Sequence, residues 1–136
     1  RNMGLSEEEI SRRVIEALRK VDAEGLLHRD SFRLSGGEKR RVAIATTLSM
    51  TPSIILMDEP SANLDPKSRR RLIELLRAFD HTLLVATHDM DMAEELCQRV
   101  VVLSEGRIVA DGRKEEIFRR KELLESCSLE QPYAYR

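Results

Sequence analysis

The sequence predicts an α/β protein with a mostly parallel sheet flanked by helices. Short apolar runs alternate with longer segments in which apolar residues recur at helical spacing. The links between these segments are short, which favours consecutive strand–helix units and therefore parallel strands. The predicted strands cover 54–57, 82–87 and 100–103.

The composition describes one globular domain. Of its 136 residues, 41% are hydrophobic and 35% are charged. The 23 basic and 24 acidic residues leave a formal net charge of −1, which argues against a dedicated nucleic-acid binder. The apolar runs are far shorter than the roughly 20 residues that span a bilayer, so a membrane role would require another subunit to cross it.

Two capping boxes mark the beginnings of helices in the first third of the chain. Ser6 and Glu9 open the first helix, and Ser35 and Glu38 open another that runs to about residue 50. The apolar residues that follow each box recur at helical spacing. Both segments are therefore predicted to be amphipathic helices.

The rest of the chain is predicted to alternate between strands and capped helices. Asp65 and Asp89 are placed as N-caps, and Pro66 occupies the first turn after Asp65. Glu105 and Gly106 form a tight turn that predicts a hairpin. The predicted helices cover 66–79, 90–97 and 115–126, and the second hairpin strand covers 107–110.

Two local features are suited to phosphate chemistry. Ser35, Gly36 and Gly37 lie at a helix start, where exposed N–H groups and the positive helix end favour an anion. Asp58 and Glu59 follow a predicted strand, and such a pair suits Mg²⁺ binding and general-base catalysis. Taken singly, each feature also has a purely structural interpretation, as ordinary capping or as solvation of a strand end.

Two other features are equally ambiguous when taken alone. Residues 61–65 can be no more than a turn with a helix cap, and His88 can be a structural histidine at a strand end. The order and spacing of all four features are more informative than any one of them.

Together the four features resemble the motifs of the ABC ATPases. Residues 34–41 (LSGGEKRR) resemble the signature motif, and 54–60 (IILMDEP) resemble the Walker B strand with its catalytic glutamate. Residues 61–65 resemble the D-loop, and His88 stands where the family has its switch histidine. The resemblance extends over essentially the whole chain.

The resemblance implies a truncated ABC-type P-loop NTPase fold with a mostly parallel sheet and part of the helical subdomain. Residues 1–50 would be the end of the helical subdomain with the signature helix. Residues 51–112 would be the core and hairpin, and 113–136 a carboxy-terminal helical segment.

The resemblance also implies roles for individual residues. Glu59 would polarise the attacking water, Asp58 would hold the Mg²⁺ shell of ATP, and His88 would donate to the γ-phosphate. Asp65 would lie across the interface of a head-to-tail dimer. The signature residues would contact the ATP of the partner subunit, and they are Leu34, Ser35, Gly36, Gly37 and Glu38.

The sequence departs from the family pattern in three ways. Position 38 is Glu where many members have Gln, and Ser61 replaces the commoner Thr. No G-x-x-x-x-G-K-[ST] loop occurs in the 136 residues. Residues 2–6 resemble the stretch that follows this loop and the glutamine loop in the family, so the sequence predicts a truncated domain that is inactive alone.

The residues of several segments resemble, more narrowly, importer subunits of the cobalt, nickel and vitamin (energy-coupling-factor) group. The segments are 62–66 (ANLDP), 87–93 (THDMDMA), 109–112 (VADG) and 116–118 (EIF). This implies an ATPase coupled to solute uptake, peripheral at the cytoplasmic face of the membrane. Its partners would be a second ATPase subunit and integral membrane transporter subunits, with no nucleic acid.

Two alternatives remain open at the level of sequence. One is a non-transport ABC ATPase, although such proteins usually add basic arms, zinc modules or long heptad segments. The other is a catalytically dead interaction module. The missing phosphate loop favours that module, whereas the presence of Glu59 and His88 opposes it.

Overall fold

The computed structural model describes residues 4–136, in which helices and strands alternate. Residues 1–3 lie outside the described part, and with them two of the five residues of the 2–6 stretch. The helices are α1 (Glu7–Lys20), α2 (Gly36–Leu48), α3 (Pro66–Arg77), α4 (Met90–Leu96), α5 (Lys114–Phe118) and α6 (Lys121–Ser126). The strands are β1 (Ile54–Asp58), β2 (Thr82–Ala86), β3 (Arg99–Ser104) and β4 (Arg107–Arg113). Across 4–136, no helix has the length and apolarity to cross a bilayer.

The strands form two separate pairs. β1 and β2 are parallel, with Ile54 opposite Thr82 and Asp58 opposite Ala86. β3 and β4 form the predicted antiparallel hairpin, which continues to Arg113 rather than ending at residue 110. The α/β class with a parallel sheet and flanking helices is confirmed. Parallel pairing brings the carboxyl ends of β1 and β2 to one edge.

The two predicted capping boxes differ in the structure. At α2 the box is complete: Ser35 Oγ accepts from the Glu38 N–H at 3.3 Å, and the Glu38 carboxylate accepts from the Ser35 N–H at 2.8 Å. At α1 only Ser6 Oγ accepts, from the Glu9 N–H at 3.2 Å. The Glu9 side chain instead binds the guanidinium groups of Arg12 and Arg13. The two guanidinium groups occupy the Glu9 carboxylate in place of the Ser6 N–H, so the reciprocal half of that prediction is wrong.

The predicted continuous helix over 115–126 is also wrong, because the chain bends between α5 and α6. Arg120 has a non-helical backbone, with φ −86° and ψ 68°. In one straight helix, Phe118 and Leu124 would point about 120° apart. The bend lets both side chains reach full burial in the same cluster.

Two hydrophobic clusters hold the fold. The first combines α1, α2 and α3 with β1 and reaches α4 at Met92, so the predicted segments 1–50 and 51–112 share one core. The second joins the hairpin to α4, α5 and α6. In the last ten residues, where the sequence shows no periodicity, Pro132 is fully buried and the Tyr135 ring packs edge-on against Phe118.

The β1–β2 pair is buried on one face only. Ile55 is 2% exposed, whereas Ile54, Leu56 and Leu84 are 57%, 71% and 61% exposed. Alternate side chains of a strand point to opposite faces, and the first cluster covers one of them. Short apolar runs of this kind are typical of buried parallel strands, and these alternate positions depart from that expectation. We call this set of three residues the open face.

Candidate active site

The carboxyl edge of β1 and β2 brings the predicted acidic residues and the histidine together. Asp58 ends β1, and the N–H of Glu59 donates to the carbonyl of Ala86 at 2.8 Å, which extends the parallel pairing by one residue. His88 follows β2 by two residues. Glu59 and His88 are thus in direct contact, and the exposed Asp58 directly precedes Glu59.

The Glu59 carboxylate is held through both of its oxygens. Oε1 lies 2.7 Å from Nδ1 of His88 and accepts from the His88 N–H at 3.0 Å. Oε2 accepts from the Thr87 hydroxyl at 3.1 Å. Sequence reasoning missed Thr87, although a hydroxyl directly before the histidine at the strand end was a visible signal.

The backbone at Glu59 is strained. Its φ is +41°, in the left-handed region that residues with a side chain seldom occupy. Such conformations persist where the surrounding structure imposes them, and they concentrate at functional sites. At this position the left-handed turn follows directly on β1 and leaves the carboxylate in contact with Thr87 and His88.

The contact between Glu59 and His88 shifts the pKa values of both side chains. Partial burial acts to raise the pKa of Glu59, but hydrogen bonds from the His88 ring, Thr87 and the His88 N–H outweigh it and hold that pKa below its ordinary value. The pKa of His88 is raised, first by its hydrogen bond to Glu59 and then by the charge of that carboxylate. The site therefore favours an ionised glutamate beside a protonated imidazole.

We expect Glu59→Gln to lower the pKa of His88, measured by NMR titration of the imidazole. Because the pKa of His88 is raised in the folded state, the stabilisation from this pair is complete below the unfolded value of about 6.5. It is lost as the pH rises through the higher folded value. With side-chain exposures of 80% for His88 and 36% for Glu59, the effect on folding stability is small.

The matched control for this titration is Glu130→Gln, which removes a carboxylate paired with Arg136 instead. This variant should leave the pKa of His88 unchanged from the wild type. An unchanged His88 pKa in Glu59→Gln would contradict the pairing described above.

The predicted signature residues lie at the beginning of α2, but they face different surroundings. Ser35 and Gly36 are exposed, and a Cβ added at Gly36 would meet no atom within 4 Å. A Cβ at Gly37 would lie 3.1 Å from Oγ of Ser68 on α3. Leu34 is 8% exposed, so its side chain packs inside the fold. The predicted contact of Leu34 with a nucleotide of a partner subunit stays a prediction.

The carboxylates of Glu38 and Asp65 both accept hydrogen bonds at the beginning of a helix. A hydrogen bond from the Ser35 N–H lowers the pKa of Glu38. Asp65 accepts from the N–H groups of Lys67 and Ser68, both at 3.0 Å, and its hydrogen bonds to Ser68 lower the pKa of Asp65. Each carboxylate thereby fixes the first turn of its helix.

A second cluster adjoins the site, and sequence reasoning missed it. The Asp89 carboxylate accepts two bonds from the Arg69 guanidinium, each at 2.8 Å, and one from the Ser61 hydroxyl at 3.0 Å. The pKa of Asp89 is lowered to about 2, and the hydrogen bond from the Arg69 guanidinium is the largest cause. The sequence shows Asp89 as a helix cap, but no spacing rule pairs it with an arginine on the preceding helix.

The metal-binding capacity of the site is limited. Within residues 4–136, no group of three or more His, Cys, Asp or Glu side chains is arranged to hold a metal ion. Asp58 offers one exposed carboxylate. One carboxylate suits Mg²⁺, which keeps several waters and takes further ligands from substrate phosphates.

Comparison with known proteins identifies related sequences. A family model described as "AAA domain, putative AbiEii toxin, Type IV TA system" matches residues 4–91. A "Putative ABC transporter ATP-binding protein" of Geobacter sulfurreducens is 53% identical over 131 residues, covering 96% of this chain and 53% of that protein. An energy-coupling factor transporter ATP-binding protein EcfA2 of Clostridium perfringens is 41% identical over 138 residues, covering 97% and 48%.

A solved structure agrees in fold. CbiO1 from Clostridium perfringens, described as part of the ABC transporter complex CbiONQ, superposes with a TM-score of 0.78 at 39% sequence identity. The match covers 92% of this chain and 51% of that protein. The chain spans about half the length of the curated relatives it matches.

Proposed function

Because this chain belongs to the ABC ATPase family, we propose that it supplies the signature, Walker B, D-loop and switch-histidine segments of the ATP-hydrolysing subunit of an ABC importer. The subunit would couple hydrolysis to solute uptake. The 41% identity with EcfA2 supports an energy-coupling-factor type, and the proposed solutes are cobalt, nickel or a vitamin. The observation that carries the proposal is the contact of Glu59 with His88 at the carboxyl edge of β1 and β2, beside Asp58.

The chemistry follows from the charges at this edge. ATP with Mg²⁺ would supply the phosphoanhydride and the charge compensation of the metal. Asp58 is the exposed carboxylate suited to the Mg²⁺ shell. Glu59, kept ionised by its neighbours, is suited to orient and polarise a water as general base.

His88 has two competing tasks in this proposal. In the structure it occupies Oε1 of Glu59 twice, through its ring and its N–H. A water that binds Oε1 of Glu59 needs one of these two acceptor positions. The ring is 80% exposed and is the group proposed to donate to a γ-phosphate, so turning toward that phosphate would release Glu59.

The beginning of α2 is proposed to serve a second subunit. Ser35 and Gly36 are exposed there, and the open space at Gly36 allows a phosphate to approach the backbone. We propose a head-to-tail dimer in which this surface meets the ATP of the partner subunit, with Asp65 and the rest of the D-loop at the interface. Integral membrane subunits would bind the dimer at the cytoplasmic face of the membrane.

We expect the isolated chain to hydrolyse ATP at background rate. Neither Asp58 nor Glu59 can hold the β-phosphate, which the family grips with a lysine and a backbone nest that this sequence lacks. Steady-state phosphate release from the purified chain measures this. Turnover that disappears in Glu59→Gln from the same preparation would show that the chain is active alone.

Substitutions at the two signature glycines, Gly36 and Gly37, test different properties of this surface. In a full-length subunit that contains this segment, Gly36→Asp should keep the melting temperature and abolish ATP-dependent dimerisation. It adds negative charge beside the expected phosphate, while its Cβ meets no neighbour. A Cβ at Gly37 would lie 3.1 Å from Oγ of Ser68, so Gly37→Asp changes the packing of α2 on α3 as well as the charge.

Light scattering with ATP on the Glu59→Gln background decides the outcome for Gly36→Asp. A dimer that still forms with ATP would remove residues 35–37 from the interface. Gly36→Ala is the matched control, since it adds the Cβ without the charge.

A further inference from the structure

We propose that Arg69 is a positioning residue that fixes the Glu59–His88 pair by holding Asp89. The inference rests on the proposed function, in which that pair carries out hydrolysis. Arg69 itself does not reach the pair. It acts through a continuous set of hydrogen bonds that begins on α3 and ends at the Glu59 carboxylate.

The first step is the two-bond contact of Arg69 with the Asp89 carboxylate. Nε and Nη2 of Arg69 each donate to a different oxygen of Asp89 at 2.8 Å, with side-chain exposures of only 24% and 22%. A two-bond guanidinium–carboxylate pair fixes the orientation of the carboxylate as well as its position. The same carboxylate caps α4 by accepting from the N–H of Met92 at 2.9 Å.

The second step runs from Asp89 to Glu59 through Thr87. The N–H of Asp89 donates to the Thr87 hydroxyl oxygen at 3.0 Å. That hydroxyl donates its proton to Oε2 of Glu59 at 3.1 Å. Since Thr87 accepts on one side and donates on the other, its single proton is directed at Glu59.

The third step ties in the loop that follows Glu59. Ser61 donates to Oδ2 of Asp89 at 3.0 Å, which is the oxygen that also accepts from Nε of Arg69. The Asp89 carboxylate therefore connects the loop of 59–65 to the segment of 87–89. A displacement of the loop by a partner subunit would be transmitted to His88 through Asp89.

A purely structural ion pair between α3 and α4 is the rival explanation, and the chain contains a matched control for it. Arg70, next to Arg69 on α3, pairs with Glu95 of α4 at 2.8 Å. This pair also joins the two helices, but it does not contact Asp89. Arg69 also approaches Glu95, at 3.8 Å, so the loss of Arg70 weakens a contact between α3 and α4 that both arginines share and leaves the Asp89 pair in place.

The test is amide hydrogen exchange followed by NMR on the 136-residue chain without nucleotide. In Arg69→Gln, exchange at the N–H groups of His88 and Asp89 should accelerate about 5–10-fold relative to the core amide of Ile73, the size of effect expected from one weakened hydrogen bond. In Arg70→Gln the same ratio should change less than about twofold. Arg69→Lys should restore only part of the protection, because an ammonium cannot make the two-bond contact.

Equal acceleration in Arg69→Gln and Arg70→Gln, or unchanged exchange at His88 in Arg69→Gln, would overturn the proposal. Full rescue by Arg69→Lys would reduce the role of Arg69 to its charge and would also overturn it. If Arg69→Gln does not fold, Ser61→Ala tests the same carboxylate from the loop side and should accelerate exchange at Asp89. Since ATP takes no part, a full-length subunit without turnover counts against the proposed function and leaves this result unaffected.

Discussion

Glu59→Gln is expected to lower ATP turnover by about 10²–10⁴-fold in a full-length subunit that contains this segment. The amide cannot accept the proton of the attacking water. Its single oxygen can still accept from His88, as Oε1 of the carboxylate does now, while its NH2 group takes the place of Oε2 and donates to the Thr87 hydroxyl oxygen instead. ATP should therefore still bind, and the ATP-bound dimer should accumulate. Steady-state phosphate release and light scattering report the two effects.

The matched control for this turnover measurement is Glu105→Gln. That residue also has a left-handed backbone, with φ +47°, but it lies in the hairpin turn between β3 and β4. Its turnover should equal that of the wild type. Comparable turnover in Glu59→Gln and the wild type would remove Glu59 from the role of general base.

Phe118→Ala is expected to destabilise the chain by about 3–5 kcal/mol, the usual cost of removing a buried aromatic ring. Phe118 is fully buried in the second cluster, its ring packs on Tyr135 and its carbonyl accepts from the Gln131 side chain at 2.8 Å. A loss of this size is a large share of the roughly 5–15 kcal/mol that stabilises a typical domain. Urea unfolding followed by circular dichroism gives the free energy of unfolding.

Phe32→Ala is the matched control, since it makes the same chemical change at a side chain that is 95% exposed. It should change the free energy of unfolding by less than about 0.5 kcal/mol. Similar losses in the two variants would show that the second cluster does not pack as described.

The sequence predicted the features that depend on neighbouring residues. The capping box of Ser35 and the cap of Asp65 are set by contacts within three positions, and both were found where expected. The meeting of Glu59 and His88 was predictable for a related reason. Both follow parallel strands, and parallel strands end at the same edge.

What the sequence did not predict depends on packing between distant segments. The contact of Arg69 with Asp89 requires α3 to lie against α4 in one register, and no local pattern records that register. The nearness of Gly37 to Ser68 has the same origin, since it depends on how α2 meets α3. The bend at Arg120 follows from the need of the second cluster for both Phe118 and Leu124.

The open face of Ile54, Leu56 and Leu84 is one of the apolar surfaces that the chain exposes to water, beside side chains such as Phe32 and Leu103. Apolar surface of this kind draws molecules together with a strength that grows in sulfate or phosphate and weakens in the cold. Association through a folded surface also makes the melting temperature depend on protein concentration. The three aliphatic side chains lie outside both hydrophobic clusters, so contacts through them add to the stability of the fold only when molecules associate.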